Sequence, residues 1–270
     1  MIYFGNQLDK ISNNLNMLLN SDNIDFDILF NQISNIYFDK KSFQIMPYPT
    51  ILTKIKNSKY FCVSNNLKNI EFPFLLGDID KRRLYNRVEK FYYKLKTDFV
   101  LIFKEDKNYY YIYDSDIAPY IKISKKMITD NLSNIVVIKS NNKKIYFDKE
   151  ILFYQNMKNI YLDTLIGSNA YLEIINILEN QKLLSKNELS LYYSLRELTV
   201  LFYKLAQLSS EFDKNIFYFL QNELNLFDNI INSISYRENQ KILIQYFTNL
   251  YKNRKELEEY AKKYSTKLPY

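Results

Sequence analysis

Proton transfer near neutral pH usually runs through imidazole, and this chain of 270 residues has no histidine. Ser-His-Asp and Cys-His catalysis, histidine acid–base work and histidine metal sites are excluded together. One cysteine remains, Cys62. It cannot form an intrachain disulfide, and with histidine absent it leaves no structural zinc site. Cys62 stands in Tyr60-Phe61-Cys62-Val63, an apolar run in which a thiol reads first as a small core residue. Acting as a nucleophile, it would need a lysine or a helix N-terminus to activate it. The remaining chemistry belongs to carboxylates. Asp98, Asp114, Asp116 and Asp148 fall at expected strand ends. Carboxylates so placed could ligate a metal or work as an acid–base pair, and Asp98 with Asp114 would serve an Asp-based metal-dependent enzyme. The simpler reading has them satisfying turn backbone. Glu105-Asp106-Lys107 matches half of a nuclease metal site, but it falls in a turn. The three glycines, Gly5, Gly77 and Gly167, make no nucleotide cradle, so no cofactor is expected, and outside the Asp98–Asp114 alternative no metal.

Binding chemistry is the alternative. Lys and Arg number 37 against 30 Asp and Glu, a net charge of +7. The densest basic patch is Lys81, Arg82 and Arg83 with Arg87, followed by Lys122/Lys125/Lys126 and Lys139/Lys143/Lys144. A nucleic-acid binder gathers such charge on one face; spread along the chain it reads as solvated surface. Abundant Asn, Ile, Lys and Tyr suggest an AT-rich genome, which weakens any functional reading of the Lys and Tyr counts. The run Tyr109-Tyr110-Tyr111-Ile112-Tyr113 could stack bases. In a strand, alternate members face opposite sides, so core packing competes with that role. The stripe Leu198, Leu201, Phe202, Leu205 and Leu208 could meet a partner, though packing against neighbouring helices is simpler.

The elements that must position these residues follow from periodicity. Helices are expected over 6–20, 25–36, 50–58 and 81–95. Residues 42–50 are extended, and Pro73 and Gly77 mark a loop. Strands are expected over 60–63, 99–104 and 109–113, the last two joined by the polar turn 105–108. A helix starts at Ser124. Strands 135–139 and 145–148 complete a small antiparallel sheet. After Asp148 strand signals stop. Helical patterns cover 150–163, 168–181, 186–209, 211–233 and 236–264, with breaks at Gly167, Ser185, Ser209-Ser210 and 233–235. The fold class is therefore α+β: a mixed domain over 1–150, with its small sheet packed by helices, and an all-helical one over 151–270. The N-terminus lacks the basic start and apolar core of a signal peptide, and no apolar run reaches the ~18 residues of a membrane span. A soluble, cytoplasmic protein without membrane association is expected.

Residues 97–132 resemble the second half of a papain-like core, of the kind in bacteriocin-leader peptidases and butirosin-biosynthesis acyltransferase-like proteins. The resemblance lies in Thr97-Asp98-Phe99-Val100-Leu101-Ile102, then Tyr111-Ile112-Tyr113-Asp114, then Ile121-Lys122-Ile123-Ser124-Lys125-Lys126-Met127-Ile128. It puts Asp114 where that family carries its orienting Asp or Asn, and Asp98 where it carries the catalytic His. The N-terminal helix that would bear the nucleophile begins Gly5-Asn6-Gln7-Leu8 and has no Cys. The resemblance implies a catalytically dead relative from a peptide or natural-product gene cluster. Such a protein would bind a protein or peptide partner, an active paralogue or another copy of itself. The competing expectations are a nucleic-acid-associated protein of an AT-rich virus or mobile element, and the carboxylate metalloenzyme.

Overall fold

The computed structural model describes residues 35–48, 61–64, 70–77, 99–114, 118–131, 135–139, 148–162 and 166–265, with Asn14 and Leu18. The chain divides into two compact units: Met1–Phe26 with Ile51–Tyr146, and Asp27–Thr50 with Phe147–Tyr270. Helical Asn14 and Leu18 are buried, within the helix expected over 6–20. The helices expected over 50–58 and 81–95, and residues 145–147 of the last expected strand, lie outside the described residues.

The first unit is built on a six-stranded, wholly antiparallel sheet. Its strands are β3 (Phe61–Ser64), β4 (Phe74–Gly77), β5 (Phe99–Glu105), β6 (Tyr109–Asp114), β7 (Ala118–Ser124) and β8 (Ile135–Lys139). Their order is β3-β8-β4-β5-β6-β7. Register explains the core. Val137, Leu75, Leu101 and Tyr113 are cross-strand partners in one continuous row, and all four are buried. Leu76 with Val136 and Val100, and Ile102 with Phe74 and Ile112, form the rows of the opposite face. Ile128 of helix α1 (Lys125–Asn131) packs against that face. Ser124 Oγ accepts the Met127 N–H at 3.3 Å and so starts the helix where the sequence expects it.

Two strands differ from the sequence expectation. Phe74–Gly77 is a strand rather than a loop, because Pro73 stands just outside it and its residues are buried on both faces, which removes any alternation. β7 was not anticipated. Pro119 is tolerated near the start of an edge strand, and Ile121 and Ile123 turn inward while Lys122 turns away.

The second unit holds helices α2 (Lys149–Leu162), α3 (Ser168–Asn180), α4 (Ser185–Phe212), α5 (Lys214–Ser235) and α6 (Gln240–Ala261), then a 3-10 turn over Lys262–Tyr264. The expected apolar stripes are buried: Tyr171, Ile174, Ile175 and Leu178 on α3, and Leu198 through Leu208 on α4. Phe202 stacks on Phe227 of α5 at 5.6 Å, so the α4 stripe serves intramolecular packing. Ser209-Ser210 does not break α4. The Ser209 hydroxyl donates to the Leu205 carbonyl at 2.8 Å, and the helix runs on to Phe212.

This unit also contains a β-hairpin, β1 (Asn35–Asp39) paired with β2 (Gln44–Tyr48). The helix expected over 25–36 therefore does not reach its last two residues, which are strand. Ile36, Phe38, Ile45 and Met46 are buried. The Ile45 N–H donates to Ser194 Oγ at 3.2 Å, and the Ile36 carbonyl accepts the Gly167 N–H at 2.6 Å. The hairpin thus belongs with helices more than a hundred residues away, and the unit containing 151–270 is not all-helical.

Candidate functional site

The β5–β6 turn and the strand beside it carry the most chemically distinctive outward surface among the described residues. Asp106 builds the turn: its Oδ1 accepts the N–H groups of Asn108 at 2.9 Å and Tyr109 at 2.8 Å. The Asn108 N–H holds the Asp106 carboxyl below the usual carboxylate value, against opposing desolvation, helped by Tyr109, Tyr111 and Lys122. A β-bulge between Ile102 and Lys104 then shifts the register by one. Ile102 pairs with Ile112 on the core face. After the bulge Lys104 pairs with Tyr111, on the face that Tyr109 and Tyr113 share. Lys122 of β7 is the partner of Tyr111 on its other side.

The result is a row Lys104–Tyr111–Lys122 across three strands. The Lys122 ammonium lies 4.2 Å from the Tyr109 ring centre and 5.6 Å from that of Tyr111, and Lys104 lies 5.6 Å from the Tyr111 ring. Tyr111 donates its hydroxyl to Asp106 Oδ2 at 3.0 Å, and Lys122 stands 3.6 Å from the same oxygen. Exposure grades along one face of β6: Tyr109 is 38% exposed, Tyr111 half-buried, Tyr113 buried. Tyr110, on the other face, packs against the core, with Lys125 5.2 Å above its ring and 2.6 Å from Glu105. The tyrosine run therefore divides by depth as well as by face.

The other anticipated residues fall as follows. Cys62 is exposed, which corrects the expectation of a core thiol: Phe61 takes the inward position on edge strand β3, and Cys62 the next, outward one. Among the described residues no base or cation is hydrogen-bonded to it. Asp114 ends β6, opposite Ala118. Asp148 is exposed and caps α2 through the N–H groups of Glu150 and Ile151. Asp98, Asp116, Lys81, Arg82, Arg83 and Arg87 lie outside the described residues. Lys122 and Lys125, adjacent in the basic cluster, lie on opposite faces of the sheet.

A polar cluster inside the helical unit has no counterpart among the sequence expectations. Arg254 of α6 is fully buried; its Nη1 donates to Glu223 of α5 at 3.1 Å and its Nη2 to Asn35 at 3.3 Å. Glu223 accepts the Tyr171 hydroxyl at 2.5 Å. The guanidinium lies 5.3 Å from the Phe202 ring, and its Nε is 3.9 Å from Glu258. Glu258 in turn accepts the N–H and the hydroxyl of Ser168 at 2.7 Å each, capping α3. Burial pushes the Glu223 carboxyl up, while Arg254 and the Tyr171 hydroxyl pull it back. Burial also lifts the Tyr171 phenol far above its ordinary value. The signal was present: Glu223 and Arg254 sit at helical spacing inside apolar stripes, next to Leu220 and Phe227 and to Leu250 and Leu257. With every member buried or tied to a helix end, the cluster can position helices but cannot meet a substrate.

Among the described residues no group of three or more His, Cys, Asp or Glu could hold a metal, and no helix is long and apolar enough to cross a membrane. No protein-family model matches the sequence, and no curated protein aligns with it significantly.

Proposed function

We propose that this chain is a non-catalytic binding or scaffold protein, cytoplasmic in setting, and a papain-like relative that has kept a scaffold without the reactive pair. The observation that carries the reading is the outward Lys104–Tyr111–Lys122 row with Tyr109 beside it. It puts rings and cations on one sheet, where they can hold a ligand but cannot move a proton near neutral pH. In this reading β5 and β6, which ends at Asp114, are the strand pair of the 97–132 pattern and α1 is its helix, with β7 an addition between them. The partner in this reading is a protein or peptide, either an active paralogue or a second copy. The test is incubation of the purified protein with peptide and peptidyl-thioester substrates, beside Cys62→Ala. Neither protein should turn substrate over; turnover by the wild type that vanishes in Cys62→Ala would overturn the reading.

A second reading, nucleic-acid binding, is favoured by one specific observation: the exposed Tyr109 ring lies beside lysines on the same face.

A further inference from the structure

We propose that the turn end of the β5–β6–β7 face, outward at Lys104, Tyr109 and Lys122, binds single-stranded nucleic acid, bases stacking on Tyr109 and Tyr111 and phosphates meeting Lys104 and Lys122. The inference rests on the nucleic-acid reading of that surface and narrows its ligand to a single strand.

Spacing is the first argument. Tyr109 and Tyr111 are two residues apart on one strand, so their rings repeat at about 7 Å. Bases in a duplex repeat at about 3.4 Å per strand. The platform therefore suits bases splayed one to a ring, and not a stacked duplex. The second argument is the bulge. Without it Lys104 would share the core face with Ile102; with it Lys104 joins Tyr111, opposite Lys122. The two ammonium groups, from strands about 10 Å apart, each lie 5.6 Å from the Tyr111 ring centre, so a base that stacks there moves them off the ring toward its phosphates. Both residues are lysines and both are exposed, so they supply charge without reading sequence. Asp106 is a carboxylate on this face. Its Oδ1 is committed to the turn and its Oδ2 to Tyr111, but Oδ2 also holds Lys122. An incoming phosphate must compete with it for that ammonium.

The test is fluorescence anisotropy of a labelled 12-nucleotide thymidine strand, and of its duplex with adenosine, at 50 and 200 mM salt. The single strand should bind more tightly than the duplex and weaken steeply with salt. Tyr109→Ala, at an exposed ring, should weaken binding about tenfold with unchanged circular dichroism. Lys122→Gln should lower the salt slope by about 0.7. Asp106→Asn keeps the turn acceptor, releases Lys122, and should tighten binding. Equal binding of the duplex, no change in Tyr109→Ala, or equal competition by poly-glutamate would each overturn the assignment. So would no binding by the wild type; that result leaves the non-catalytic reading standing, because only Cys62-dependent turnover bears on it.

Discussion

At the scale of single residues the helical unit turns on Arg254. Burying a guanidinium costs several kcal/mol of lost hydration, offset to the extent that its donors find acceptors. Here Glu223 and Asn35 receive the two terminal nitrogens, and Tyr171 satisfies the other oxygen of Glu223. Replacing Arg254 alone strands a buried carboxylate. Arg254→Met should therefore cost about 3–5 kcal/mol in denaturant unfolding. Adding Glu223→Leu should recover most of that loss, since an apolar pair of similar volume carries no stranded charge. A double variant no more stable than Arg254→Met would refute this account. Gly167 is a second such point. Its φ of +73° lies in the left-handed region, and an added Cβ would run into Glu258 Oε1 and come within 2.7 Å of Asn35 Oδ1. Gly167→Ala should cost about 2 kcal/mol or more, from backbone strain together with displacement of the Ser168 cap. A thermal melt unchanged by the substitution would remove glycine's special role there.

At the scale of elements, one residue joins α4 to α5. Asp213 caps α5 through the N–H groups of Asn215 and Ile216, and the same carboxylate accepts Lys263 at 2.9 Å, Tyr260 at 3.3 Å and the Tyr264 hydroxyl. Tyr264 packs its ring on Phe153 of α2 at 5.3 Å. One carboxylate thus fixes a helix start and the final turn of the chain. Partial burial works to raise the Asp213 pKa, but the Tyr264, Lys263 and backbone donors outweigh it, and the net shift is downward from the ordinary aspartate value. A depressed folded pKa contributes stability above the unfolded value and loses it as pH falls through the folded value. The wild type should therefore be more stable than Asp213→Asn at pH 7, and the gap should close below about pH 4 in urea titrations. A gap constant from pH 7 to pH 2 would show that the charge contributes nothing. This joint also marks where the sequence was misleading. Serines at 209 and 210 look like a break because Ser favours helix ends. Buried Ser209 instead bonds back to Leu205, and the true stop is the next capping aspartate. The stripes on α3 and α4 were legible because a helix facing a core must repeat its apolar residues at 3.6. β4 was not, because a strand buried on both faces has no period to read.

At the scale of the molecule, the chain returns to an earlier segment to finish a later unit. Pattern alone divides the sequence near 150, where strand signals end, and cannot say which distant residues a short hairpin will meet. The binding face was half-legible for the same reason: the tyrosine run showed, but the bulge that turns Lys104 to it is a register event without a sequence signature. The hairpin β1–β2 supplies Asn35 to Arg254, the Ile36 carbonyl to Gly167 and the Ile45 N–H to Ser194, so it reaches α3, α4 and α6. Its apolar residues Ile36, Phe38, Ile45 and Met46 are buried, and Phe38 meets Phe43 edge to face at 5.1 Å. Removing it would expose that surface and leave Arg254 short of an acceptor in the interior. A fragment spanning 147–270 should consequently melt broadly and bind a hydrophobic dye, with helical circular dichroism but loose packing. The same fragment carrying residues 27–50 on a flexible Gly/Ser linker of about 20 residues should regain a single cooperative transition. Equal cooperativity without the hairpin would mean that the five helices close their own core, and that segment 27–50 is an ornament on a unit already complete.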